Sequence, residues 1–140
     1  MNMGTRSLIG VQTGDGVRAV YCHWDGYIEG VGNTLKEFYN APHRVEELIS
    51  LGGMSSLREY LPSEKIKDIV KAKSVDAYGW PEEVTQPYHL WRGDSLDIDW
   101  FTLSMYFDKE SDIMGSEFRY LFDGKQWIAF DVYANKLQVL

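Results

Sequence analysis

Leu8-Ile9-Gly10-Val11-Gln12-Thr13-Gly14-Asp15-Gly16-Val17-Arg18-Ala19-Val20-Tyr21-Cys22-His23 reads as two strands folded about a tight turn. The apolar run Leu8 to Val11 sits in a strand from Arg6 to Thr13. Gly14-Asp15-Gly16 is a reverse-turn signal, because Asp and Gly tolerate the positive φ that tight hairpins need. Along the second strand the side chains alternate: Val17, Ala19, Tyr21 and His23 share one face, and Arg18, Val20, Cys22 and Trp24 the other. A β-hairpin therefore opens the chain, preceded by a short lead-in from Met1 to Thr5.

Beyond the hairpin, Asp25-Gly26 breaks the strand. Val31, Leu35, Phe38 and Tyr39 recur at helical spacing and predict a helix over 29–39, which Asn40-Ala41-Pro42 stops. A second helix is expected over 44–51, with Val45, Leu48 and Ile49 on one side and a Gly52-Gly53 cap. Ser55 to Leu61 reads as one or two helical turns. Ser63 caps a further helix to about Lys73, with Ile66, Ile69 and Val70 inward. Ser74 to Leu96 is irregular and rich in Tyr, Trp and His. Asp97 to Phe107 alternates as a strand, and Lys109 to Gly115 is a loop. The end is a meander: 117–122, an Asp123-Gly124 turn, 126–132 and 136–139. Strands at both ends with helices between them predict one α+β domain over residues 1–140. Its mainly antiparallel sheet combines the N-terminal hairpin and the C-terminal meander, and helices pack on one face.

The totals agree with a folded domain. A chain of 140 residues with 44% hydrophobic side chains can bury roughly two-thirds of its unfolded surface. Five Trp and nine Tyr exceed what a minimal core needs, and their polar tips suit binding surfaces, so some are expected to line a groove or interface. A single cysteine excludes an internal disulfide, and no long apolar run marks a membrane span, so a cytoplasmic protein is expected. The formal charge of -7 argues against non-specific nucleic-acid binding, which depends on excess positive charge.

Tyr21-Cys22-His23-Trp24-Asp25-Gly26-Tyr27 concentrates polar chemistry where the second strand ends. Cys22, His23 and Asp25 suggest a nucleophile, base and orienting acid, but neighbours on a strand point to opposite faces, so Cys22 reads as a buried, small apolar residue. His23, Asp25 and His89 have the side chains of a two-histidine, one-carboxylate metal site. Their spacing is not diagnostic, and no metal or other cofactor is assigned. The third reading is a ligand site. His23, Asp25 and Tyr27 end the second strand opposite the start of the first, where Arg6 lies, so Arg6 can pair with Asp25 or meet a phosphate or carboxylate. If the segment from Tyr88 to Asp94 folds over this edge, His89 and Arg92 join the site, and Trp24, Tyr27 and Trp91 can stack on a ring. Arg92-Gly93-Asp94 as an adhesion tripeptide, and the glycine pairs as phosphate loops, lack the required context.

Thr5-Arg6-Ser7, the Asp-Gly turn, Tyr21 to Tyr27 and Val31-Gly32 together resemble a family of small uncharacterised bacteriophage and prophage proteins. Tyr88-His89, Arg92-Gly93-Asp94 and Leu121-Phe122-Asp123-Gly124 followed by Trp127 extend the likeness. Ile28 stands where that family usually has proline, and residues 63–86 are unmatched. The resemblance implies an accessory protein in the host cytoplasm and brings no assigned activity.

The expectation is a binding protein that docks on a host protein or captures a small anionic, nucleotide-like ligand. Arg6, His23, Asp25, Tyr27, His89 and Arg92 would form the site, the arginines carrying anion recognition. Two alternatives remain: a small hydrolase or transferase with His23 or His89 as general base, and a protein-surface inhibitor with Trp80 and Trp91 as its hot spot. Neither membrane binding nor an oligomeric state follows from the residues.

Overall fold

The computed structural model describes residues 4–75 and 79–140. β1 (Ser7–Thr13) and β2 (Gly16–Cys22) form the expected hairpin, with Thr13 opposite Gly16 and Ser7 opposite Cys22. Gly14 holds φ 62° at the first position of the two-residue loop, as a type II′ turn requires.

Between the hairpin and the meander come α1 (Asn33–Phe38), α2 (Pro42–Ser50), β3 (Met54–Ser56), α3 (Ile66–Val75), β4 (Gln86–Pro87), α4 (Tyr88–Arg92), β5 (Asp99–Thr102) and α5 (Leu103–Tyr106). β6 (Phe118–Phe122), β7 (Trp127–Asp131) and β8 (Lys136–Val139) close the chain. The strands join in one mostly antiparallel sheet of order β4-β3-β2-β1-β6-β7-β8, with β5 also on β2. This is the α+β architecture the sequence predicts. The two ends of the chain meet through parallel pairing of β1 with β6, Leu8 opposite Arg119.

The alternation along the hairpin is as predicted. Ile9, Val11, Val20 and Cys22 face α1 and α2 and pack with Leu35, Val45, Leu48 and Ile49. Leu8, Val17 and Ala19 face the other way, where Tyr106 of α5 and Ile113 cover them. α2 begins with Pro42 at its first turn, after an extended Ala41, and its Val45, Leu48 and Ile49 form the buried stripe. Gly52 follows at φ 76°, a conformation that favours glycine.

Several expectations give way. The helix predicted from Glu29 begins as a π-helical turn over Ile28–Gly32 before α1. The segment read as helical turns from Ser55 instead starts with β3, because Met54 pairs with Cys22 of β2. Of the three residues expected inward in α3, Ile69 is buried, whereas Ile66 and Val70 are exposed. The strand predicted through Phe107 stops at Thr102, whose hydroxyl accepts a hydrogen bond from the Met105 N–H and caps α5. Several of the aromatics tie the core together. Trp127 Nε1 donates to the Tyr39 carbonyl at 2.7 Å, and the Tyr106 hydroxyl to the Tyr120 carbonyl at 2.6 Å.

Candidate functional site

Strand alternation decides the fate of the cluster at the end of β2. Cys22 points into the helix-side core, and burial pushes its thiol up to about 12. A protonated, inaccessible thiol is no nucleophile at neutral pH. His23 points to the opposite face, where its Nδ1 shares a 2.7 Å hydrogen bond with the Tyr21 hydroxyl. The Trp24 ring stands edge-on to the imidazole at 4.6 Å. Asp25 is a turn residue, at φ 57°. Its carbonyl accepts from the Val31 N–H at 2.8 Å, and its carboxylate accepts from the exposed Tyr27 hydroxyl at 3.0 Å. It makes no ion pair with Arg6 among the described residues, so the Arg6–Asp25 pairing open to the sequence is not formed.

The segment from Tyr88 packs beside β3, the neighbour of β2. β4 pairs with β3, and the Tyr88 N–H donates to the Gly53 carbonyl at 3.1 Å. α4 then carries Arg92, whose guanidinium lies 4.6 Å from the Tyr88 ring centroid and 5.2 Å from that of Trp91. Arg92 also donates to Asp94 at 2.7 Å, and His89 Nδ1 to the Asp94 carbonyl at 3.1 Å. His89, Arg92 and Asp94 thus satisfy one another on the surface. Among the described residues no three His, Cys, Asp or Glu side chains come together as a metal site needs, so His23, Asp25 and His89 are not a triad. Trp80 is buried against Ile69 and Val84, with Nε1 donating to the Val84 carbonyl at 3.2 Å, so it serves the core and not a surface hot spot. The part of the irregular segment at 76–78 lies outside the described residues.

Two concavities flank Tyr21 and Arg6. The first, a groove of about 430 Å³, lies between Tyr21, Gly53, Tyr88, Asp97, Asp99 and Met114. Burial raises both phenols; the Arg6 guanidinium beside Tyr21, and that of Arg92 beside Tyr88, pull the other way.

The second is a hollow of about 370 Å³, on the far side of the loop that carries Met114 and Gly115. Arg6, Lys109 and Arg119 line it with Ser116 and Tyr133, against one carboxylate, Asp112. The Asp112 carboxylate is engaged by the Gly115 N–H at 3.3 Å. Arg6 enters from the start of β1. Its backbone N–H is held by the Glu117 carboxylate at 3.1 Å, and its guanidinium lies beside Gly115. Gly115 holds φ 66°, and the absence of a side chain there keeps the wall thin.

Arg119, which sequence reasoning placed merely within a strand, is the deepest member. Only 1% exposed, it donates through Nε to Ser116 Oγ at 3.0 Å. Its Nη1 donates to the carbonyls of Met105, Tyr106 and Asp108, and its Nη2 to that of Ser111. Every one of these acceptors is neutral, and Arg119 forms no ion pair among the described residues. Its hydrogen bonds all go to neutral groups, and the carboxylates near it, Asp112 and Asp108, form no salt bridge with it. Burial pulls its pKa down, with the charges of Asp112 and Asp108 opposing. The available signal is an arginine in the apolar run Phe118 to Phe122, on the same alternating face as Leu121. No local pattern shows that β1–β6 pairing sets Arg6 beside it.

No family model, curated protein or solved structure matches this chain.

Proposed function

We propose that this protein is a binding protein that captures a small anionic ligand in the hollow of Arg6, Lys109 and Arg119. The observation that supports it is the buried Arg119 cation, whose hydrogen bonds all go to neutral acceptors and which forms no salt bridge among the described residues. A buried charge is costly unless an opposite charge answers it. A phosphate or carboxylate in the hollow would answer it, with Arg6 and Lys109 closing over the ligand. This keeps Arg6 in the role its chemistry suggests and moves the remaining contacts from α4 to the 109–119 segment. The resemblance to phage accessory proteins adds the expectation that the captured anion, or a protein that carries it, belongs to a host.

The hydrolase or transferase alternative finds little support in these side chains. Cys22 is sealed in the core, His23 is engaged by Tyr21, and His89 by a backbone carbonyl.

Thermal melting with inorganic phosphate and with adenosine monophosphate tests the proposal. At tenfold above the dissociation constant a ligand adds ~1.4 kcal/mol, roughly 4 °C for a domain of this size. Arg6→Ala and Lys109→Ala should melt near the parent and lose the shift. An unchanged parent melting point with both anions, or a shift that survives both substitutions, overturns it.

A further inference from the structure

We infer that the groove between Tyr21 and Tyr88 is a second site, which takes an organic cation bearing an alkylammonium or guanidinium head. The groove is lined by two tyrosine rings, a methionine and two carboxylates, Asp97 and Asp99, with Gly53 among the lining residues. Both phenols have pKa values raised above their ordinary 10.0 and are neutral at physiological pH. Among the lining residues Asp97 and Asp99 then carry the charge, and the Arg6 guanidinium stands beside Tyr21. Neither carboxylate forms an ion pair among the described residues. The nearby Arg92 is already answered by Asp94 at 2.7 Å.

The composition selects the kind of cation. A hard metal ion wants several oxygen ligands converging at short range, and no three ligating side chains cluster among the described residues. Aromatic faces and a thioether are poor metal partners here but good walls for an organic cation, which gains from the ring quadrupole and from burying its methylenes. Tyr88 already accepts a guanidinium in this way, since Arg92 lies 4.6 Å from its ring centroid. The Asp97 carboxylate accepts from the Ser95 hydroxyl at 3.3 Å, and its backbone is tightly packed. Gly52 packs so closely that a Cβ there would sit 3.1 Å from the Asp97 backbone nitrogen. The groove and the Arg6 hollow share no lining residue, although Arg6 also reaches Tyr21; Met114 lines the groove and Gly115 the hollow.

Gly53 makes the site testable without unfolding the protein. It does not have positive φ, and a Cβ there would meet nothing nearer than the Tyr88 ring at 3.7 Å. Gly53→Leu should therefore fill the groove from within.

The experiment is NMR titration of the protein labelled at its methionine methyls, with Met114 as reporter. The probes are butylammonium, methylguanidinium, and the capped amides of N-acetyl-lysine and N-acetyl-arginine, with sodium chloride and butyrate as controls. We expect a saturable Met114 shift with at least one cation and none with the controls. Binding should weaken at least tenfold in the Asp97→Asn, Asp99→Asn double variant, vanish in Gly53→Leu, and survive in Glu110→Ala, a surface carboxylate outside the groove. Response to the free amines identifies a small-molecule cation. Response to the capped amides alone identifies a side chain of a partner protein, and either result supports the site. No saturable shift with any cation, or equal binding by the double variant, overturns it.

Discussion

Tyr120 and Gly26 lie 94 residues apart, and the Tyr120 hydroxyl donates to the Gly26 carbonyl at 2.6 Å. Both residues are buried, so the bond is shielded from water. It fastens the turn after β2 to the strand that carries Arg119. Tyr120→Phe leaves the carbonyl without this donor and should cost about 1–3 kcal/mol, read as a lowered midpoint in urea. Parent-like stability would mean that water replaces the hydroxyl.

Gly30 should tolerate no side chain. A Cβ there would sit 2.3 Å from the Asp25 carbonyl oxygen, which already accepts the Val31 N–H. Because the obstacle is backbone, Gly30→Ala should cost about 1–3 kcal/mol. Asp25→Gly, which relaxes φ 57°, should leave stability near the parent. Calorimetric melting of the two variants checks the pair. An opposite order would place the strain elsewhere in the turn.

These two turns show what is legible in the sequence and what is not. Gly14-Asp15-Gly16 and Asp123-Gly124 announce their hairpins because turn chemistry is local, and the alternation from Val17 to Cys22 sorts both faces of β2 correctly. Met54–Ser56 is too short to have a period, and it is a strand only because Cys22 lies opposite Met54. Thr102 ends an alternating run by capping a helical turn, a choice that tertiary packing of Tyr106 rewards. The proposed ligand site divides in the same way. Arg6 is legible as the basic start of a strand. Arg119 joins it only through parallel β1–β6 pairing, a contact between chain ends that no window of sequence records.

Cys22 should resist Ellman's reagent in the native protein at pH 8 and react on unfolding. It also predicts a pH dependence. The thiol's ordinary value is 9.0 and burial takes it to about 12. Below pH 9 both states keep the proton. Between 9 and 12 the unfolded state loses it first, so stability falls as pH rises, by up to ~1.4 kcal/mol per pH unit. Burial also raises the Tyr106 and Tyr120 phenols above 10.0, which steepens the fall above that pH. Urea midpoints at pH 8, 9 and 10 should decline, and Cys22→Ala should flatten the first part of the decline. A flat parent profile would show that the thiol ionises freely.

Arg92→Ala should leave phosphate binding intact, because Arg92 lies on α4 and not in the hollow. Its pair with Asp94 is about half exposed, and such surface pairs contribute about 0–1 kcal/mol. Isothermal titration with phosphate checks this. A loss of affinity matching that of Arg6→Ala would return the anion site to the β2 edge.

Arg119 and Lys109 should separate stability from binding. Arg119→Met removes the donor that five neutral acceptors share. Buried carbonyls left without a donor cost about 1–3 kcal/mol, so this variant should melt below the parent. Lys109 is exposed, and Lys109→Ala should melt with the parent yet lose the stabilisation by phosphate. The lost contact is then one that matters only when an anion is present. If Arg119→Met instead folds with parent stability and is still stabilised by phosphate, the buried charge is not what draws the anion, and the hollow owes its affinity to Arg6 and Lys109 alone.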